Sequence, residues 1–116
     1  MKLLRSSVLT LVGLCSGLAI AQNSVDALVD RGEELYNTQV GCWVCHAASG
    51  EGLVGPTLLN GPTPVEILDQ LETNPMMGVI VQEMSPTDDD LISISLYIRQ
   101  LAGLPLDESL PGEYRG

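Results

Sequence analysis

Cys42-Trp43-Val44-Cys45-His46 decides how this chain folds. Two intervening residues place both sulfurs on one side of a single turn. A histidine follows directly, so its imidazole leaves the backbone beside the same pair. Such a C-x-x-C-H string suits covalent haem attachment: the thiols add to the two vinyl groups along one ring edge and the imidazole reaches the iron. Two other chemistries use paired cysteines. A redox dithiol usually opens a helix after a strand, and no strand pattern precedes Cys42. A structural zinc site needs four protein ligands, and His46 is the only histidine. The expectation is therefore one covalent haem c with its iron, held by Cys42, Cys45 and His46.

The chain upstream reads as an export signal. Lys2 and Arg5 form a basic start, and Ser6 to Ala21 carries no charge. Ala19-Ile20-Ala21 supplies the small residues a signal peptidase accepts, which predicts cleavage after Ala21. The apolar run is short of the roughly 20 residues a membrane span needs, although an uncleaved anchor is the alternative. Cys15 follows Leu14 where a lipid-attachment motif needs a small residue, so it is expected to leave with the signal. The organisation is 1–21 signal peptide, 22–106 folded domain and 107–116 flexible tail. The destination is the periplasm, with no stable membrane insertion.

Beyond Ala21 the chain holds all 15 acids and three basic residues, Arg31, Arg99 and Arg115. No lysine remains there. This balance disfavours nucleic acid and anionic lipid and suits redox protein partners with a basic docking face. The plainer reading is that acid keeps a secreted protein soluble. Aromatic content is low, with one Trp, three Tyr and no Phe. A domain this small is marginal on its own core, and a large rigid cofactor would fill the centre.

Helical signals dominate. Asn23 or Ser24 can cap a first helix carrying Val25, Leu28, Val29, Gly32 and Tyr36 at helical spacing. Gly32 is costly there and implies close contact with another element. From Gly41 to Gly61 a short helical turn at the cysteines gives way to a glycine-rich loop. Thr63-Pro64-Val65-Glu66 reads as a capping box with proline at the first helical position, followed by an apolar stripe of Val65, Leu68 and Leu71 that stops at Asn74-Pro75. Met76 to Met84 reads as a loop with one short turn. Thr87 caps a last helix with Asp88, Asp89 and Asp90 at its positive end. Leu91, Ile94, Ile98 and Leu101 form its face with Tyr97 beside it, and Gly103 and Pro105 close it. Those three acids have a structural explanation and no catalytic role.

Together these pieces resemble a class I (mitochondrial-type) c-type cytochrome domain, as in small monohaem bacterial electron-transfer cytochromes. Gly32-x-x-Leu35-Tyr36 is similar to its first helix and Gly55-Pro56-Thr57-Leu58 to its proximal loop. Leu96-Tyr97-Ile98-Arg99-x-Leu101 is similar to its last helix. The resemblance implies an all-α, cytochrome c-like fold, with about three to five helices wrapped around one covalent haem. It implies that the first and last helices cross with Gly32 against Tyr97. It also implies that the Pro56 carbonyl accepts the Nδ1–H of His46 and fixes its tautomer. Pro56 is otherwise a simple turn proline. Trp43 either lines the exposed haem edge or packs under the motif.

The family's sixth iron ligand is usually His, Met or Lys. His46 is taken and lysine is absent, which leaves Met76, Met77, Met84 or an open site. Met84 precedes Ser85-Pro86 in an echo of the family's Met-Pro, but it stands closer to Tyr97 than that ligand does. Met77 stands slightly farther away, within Asn74-Pro75-Met76-Met77-Gly78, which resembles a ligand loop of some bacterial members. Met77 is the expected ligand and Met84 the alternative. The implied function is a one-electron carrier between redox proteins and not an enzyme. The alternatives are a dedicated cytochrome subunit of a periplasmic dehydrogenase or respiratory complex, or a ligand-binding haem protein.

Overall fold

The computed structural model describes residues 25–106. The expected signal peptide, the Asn23 or Ser24 cap and the whole of the expected tail, with Arg115, lie outside these residues. The described residues form helices and loops and no strand. The first helix, α1, runs through 25–34 and widens into a π-turn at Leu35–Gln39. A short α2 follows at Trp43–His46, then α3 at Pro64–Thr73, α4 at Pro75–Glu83 and α5 at Asp88–Ala102. No described helix is long and apolar enough to cross a membrane.

α5 is the spine of the domain. Thr87 accepts the Asp90 N–H, and the Asp90 carboxylate accepts the Thr87 N–H, each at 3.1 Å. This reciprocal capping satisfies two orphan donors, while the acids of the first turn meet the positive end of the helix dipole. Gly103 ends the helix at φ +68°, and its N–H donates to the last-turn carbonyls. That backbone conformation favours glycine. Between these caps Leu91, Ile94, Leu96, Tyr97 and Ile98 are all buried. Burial extends well around the helix, because α5 meets α1 and its π-turn as well as α3.

Gly32 makes the α1–α5 crossing possible. A Cβ there would lie 1.9 Å from the Ser93 carbonyl oxygen and 2.8 Å from the Tyr97 Cβ. The helices thus touch backbone to backbone. One turn on, the Tyr36 and Tyr97 rings meet at a centroid distance of 5.4 Å and a tilt of 54°, a favourable aromatic geometry.

Two segments differ from the sequence expectation. Residues 75–83 form a full helix in place of a loop with one turn. Asn74 accepts the Met76 N–H through its side chain, and Pro75 takes the first helical position. A good cap and a preset φ outweigh the low propensity of Gly78. In α3 the buried pair is Ile67 and Leu71, whereas Val65 is 76% exposed. Thr63 caps the Glu66 N–H as expected, but the Glu66 carboxylate accepts from the Thr63 hydroxyl, so the box is not reciprocal at the backbone.

Polar groups on α5 fix the loop ahead of α3. Ser95 Oγ donates to the Pro62 carbonyl at 2.7 Å. The buried Arg99 donates to the Gly61 and Pro105 carbonyls. Hydrogen bonds from a charged donor are the stronger kind, so loop and C-terminal turn are held to one side chain.

Gly32→Ala is expected to cost about 3 kcal/mol of stability, because backbone on both sides must move to admit a methyl group. Urea unfolding of the two proteins measures it. A loss under 1 kcal/mol would contradict so close a crossing.

Candidate functional site

The turn bearing the cysteines is short and strained. Val44 and His46 donate backbone N–H groups to the Gly41 and Cys42 carbonyls, and Ala47 N–H donates to Trp43 O at 2.9 Å. Ala47 then has φ +67° and ψ +157°, a region that is almost exclusive to glycine. Tyr36 Oη donates to the Ala47 carbonyl at 2.6 Å and holds the peptide there. The π-turn of α1 is thereby tied to the residue that follows His46.

The glycine-rich loop folds back beneath this turn. Gly52 N–H donates to His46 O, while Leu53 and Gly55 N–H groups donate to Cys45 O. The returning backbone brings the Pro56 carbonyl oxygen to 2.8 Å from His46 Nδ1. A carbonyl oxygen only accepts, so Nδ1 carries a proton, and in the neutral ring Nε2 keeps the lone pair. Gly55 passes against the ring: a Cβ would lie 2.7 Å from His46 Cε1 and 2.9 Å from Nδ1. The sequence placed Gly55 in a loop motif without showing why the residue must be glycine. The imidazole contact supplies the reason.

His46 is buried, Cys42 is half-buried against the core and Cys45 is exposed. Both cysteines are thiols and no disulfide joins them. Burial pushes the Cys42 thiol up to about 11, against a smaller opposing effect from a backbone hydrogen bond. Burial likewise raises the Tyr36 phenol from 10.0 to about 12, with smaller contributions from Cys42 and Tyr97.

Two cavities flank His46. One, of about 200 Å³, has a mainly apolar wall that includes Cys42, Cys45, Val54, Met76, Met77 and Ile80. The other, of about 530 Å³, runs past Thr57, Leu58, Val65, Ile67 and Gln70. His46, Pro56, Asn74 and Met77 line both. Met77 is half-buried, and Met76, at 74% exposed, sits at the rim of the smaller cavity. Met84 caps the C-terminus of α4 and packs on the core, and it lines neither cavity. The structure thus groups Cys42, Cys45, His46, Pro56, Met76 and Met77 around one cavity and leaves Met84 apart. Trp43 is 45% exposed, which sets it at the surface beside the cysteines.

Among the described residues no group of three or more His, Cys, Asp or Glu side chains gathers as a metal site. Scans against protein-family models, curated proteins and solved structures found no match to this chain.

The Tyr36 phenol gives a sign for alkaline stability. Its proton is held more tightly in the folded state, so the unfolded chain releases it first. Stability should be unaffected by this group below about pH 10 and should fall as pH rises towards about 12. Denaturant titrations across that range should show a steeper decline in the native protein than in Tyr36→Phe. An unchanged decline in the variant would assign it to another group.

Proposed function

We propose that the chain is a periplasmic monohaem c-type cytochrome with a cytochrome c-like fold, carrying single electrons between redox proteins. The observation that carries this reading is the Pro56–His46 hydrogen bond. It directs the Nε2 lone pair of a buried imidazole towards use as a ligand, within a cavity wall that also presents two thiols and two thioethers. The cavity chemistry fits a large apolar ring, and the donor set fits an iron held by nitrogen on one side and sulfur on the other.

In this reading Cys42 and Cys45 would hold the haem through two thioether bonds, each S–H adding across one vinyl group with its hydrogen passing to the neighbouring carbon. His46 Nε2 and Met77 Sδ would hold the iron. When bound, the haem supplies reversible one-electron chemistry at its iron. The residues around it tune that chemistry. The Pro56 carbonyl makes the imidazole a better donor by drawing on Nδ1–H. Thioether sulfur favours the ferrous state and raises the potential. Val54, Met77 and Ile80 keep the cavity apolar. His46 and Met77, each carried by a folded element, would limit rearrangement on electron transfer.

The competing chemistries fit less well. A redox or nucleophilic cysteine pair relies on a lowered thiol pKa, and burial raises that of Cys42. A structural zinc ion needs a ligand cluster that the described residues do not assemble. An open ligand-binding iron would lack a second histidine as distal acid or base. Among the described residues the cations are engaged: Arg31 pairs with Glu34 and Asp90, and Arg99 is buried. The described surface is therefore strongly acidic and suits a basic redox partner, whether met by diffusion or held as a subunit of one complex.

Spectra of the air-oxidised and dithionite-reduced protein test this function. They should report a low-spin c-type haem in both states, with a weak near-infrared sulfur-to-iron band in the oxidised one. Met77→Ala should abolish that band and open the reduced iron to CO, while Met84→Ala should preserve it. Loss of the band in Met84→Ala alone would move the ligand to Met84.

A further inference from the structure

Asn74 joins two helices with one residue. Its backbone N–H donates to the Gln70 carbonyl at 2.9 Å and closes α3. Its backbone then turns extended, at φ −91° and ψ +115°, and starts α4. Pro75 has no N–H. The next three donors of α4 all end on Asn74. Met76 N–H donates to its side-chain Oδ1 at 3.0 Å. Met77 and Gly78 N–H groups donate to its carbonyl at 3.1 and 2.8 Å. The side-chain Nδ2 donates back to Gln70 Oε1 at 3.4 Å. Asn74 also lines both cavities beside His46 and Met77.

We propose that Asn74 is the positioning residue that sets Met77 for iron ligation, by anchoring the first turn of α4 to the end of α3. The proposal rests on the haem reading and deepens it. The direction of a helix is fixed where its first turn is capped. With Asn74 in place, Met77 is presented by a turn whose free donors are all satisfied by one residue. Removal of the side chain leaves the Met76 N–H without its Oδ1 acceptor and breaks the side-chain link to Gln70, leaving only the backbone bond between them. The helix can then pivot on the two carbonyl bonds, and the thioether loses its fixed approach. A distal ligand held less firmly yields more readily to a competitor.

Imidazole added to the oxidised holoprotein reads this directly, because it must displace the methionine to bind. Asn74→Ala should tighten imidazole binding about fivefold, the ratio that loss of a typical helix cap corresponds to. Asn74→Ser, whose hydroxyl can cap, should bind imidazole as the native protein does. Should Asn74→Ala fail to fold, Gln70→Ala removes only the amide's partner and should give about a twofold change. Native affinity in Asn74→Ala, or in Gln70→Ala where it stands in, would overturn the proposal, as would a Ser variant no tighter in its hold on Met77 than Ala. Met77→Ala separates the two levels. If it binds imidazole no more tightly than the native holoprotein, Met77 is not the ligand and the underlying assignment fails. If it binds far more tightly while Asn74→Ala does not change, only the positioning role fails.

Discussion

The Pro56 carbonyl stands 2.8 Å from His46 Nδ1, and the imidazole's chemistry follows from that contact. The hydrogen bond sets the tautomer, holds the ring plane and leaves Nε2 as the available donor. Several other features of the loop serve this contact. Gly55 has no Cβ because the ring occupies its place. The backbone bonds from Gly52, Leu53 and Gly55 to the cysteine turn bring Pro56 back under the histidine. Ser95 and Arg99 hold the far end of the loop through Pro62 and Gly61.

The crossing of α1 and α5 supports the same site from behind. Close approach at Gly32 lets the Tyr36 and Tyr97 rings meet at a tilt across the two helices. Tyr36 then extends its hydroxyl to Ala47, whose backbone is held in a glycine-like conformation beside His46. Strain of this kind persists only where surrounding structure imposes it. The interior of the helical pair and the geometry of the histidine turn are thus mechanically connected. α3 and α4 close the other side, and Asn74 joins them next to Met77.

Much of this arrangement was legible in the sequence, for identifiable reasons. The helix caps at Thr63 and Thr87 are local hydrogen-bond patterns, so their residues announce them. Gly32 inside a helical pattern signalled a close crossing, and its neighbours in the structure are Ser93 and Tyr97. The C-x-x-C-H turn is likewise a local device. The features that were not legible depend on contacts made at a distance. The helical state of 75–83 hinged on Asn74 acting as a cap, whereas Met76 to Met84 read as a loop with one short turn. The exposure of Val65 reflects which face of α3 meets α5. That Met76 and Met77 line a cavity with His46 while Met84 does not is a matter of how α4 packs on α3, which spacing to Tyr97 does not reveal. The strain at Ala47 and the Tyr36 hydrogen bond join positions 11 residues apart in sequence, with no motif to mark them.

Covalent capture of one haem is the claim beneath the whole account, and the intact mass of the exported protein tests it most directly. Purified from a host able to attach haem, the chain should weigh as the polypeptide beginning at residue 22 plus one haem, with neither Cys42 nor Cys45 open to alkylation after reduction. A mass equal to the bare polypeptide, with both sulfurs free or joined to each other, would contradict it.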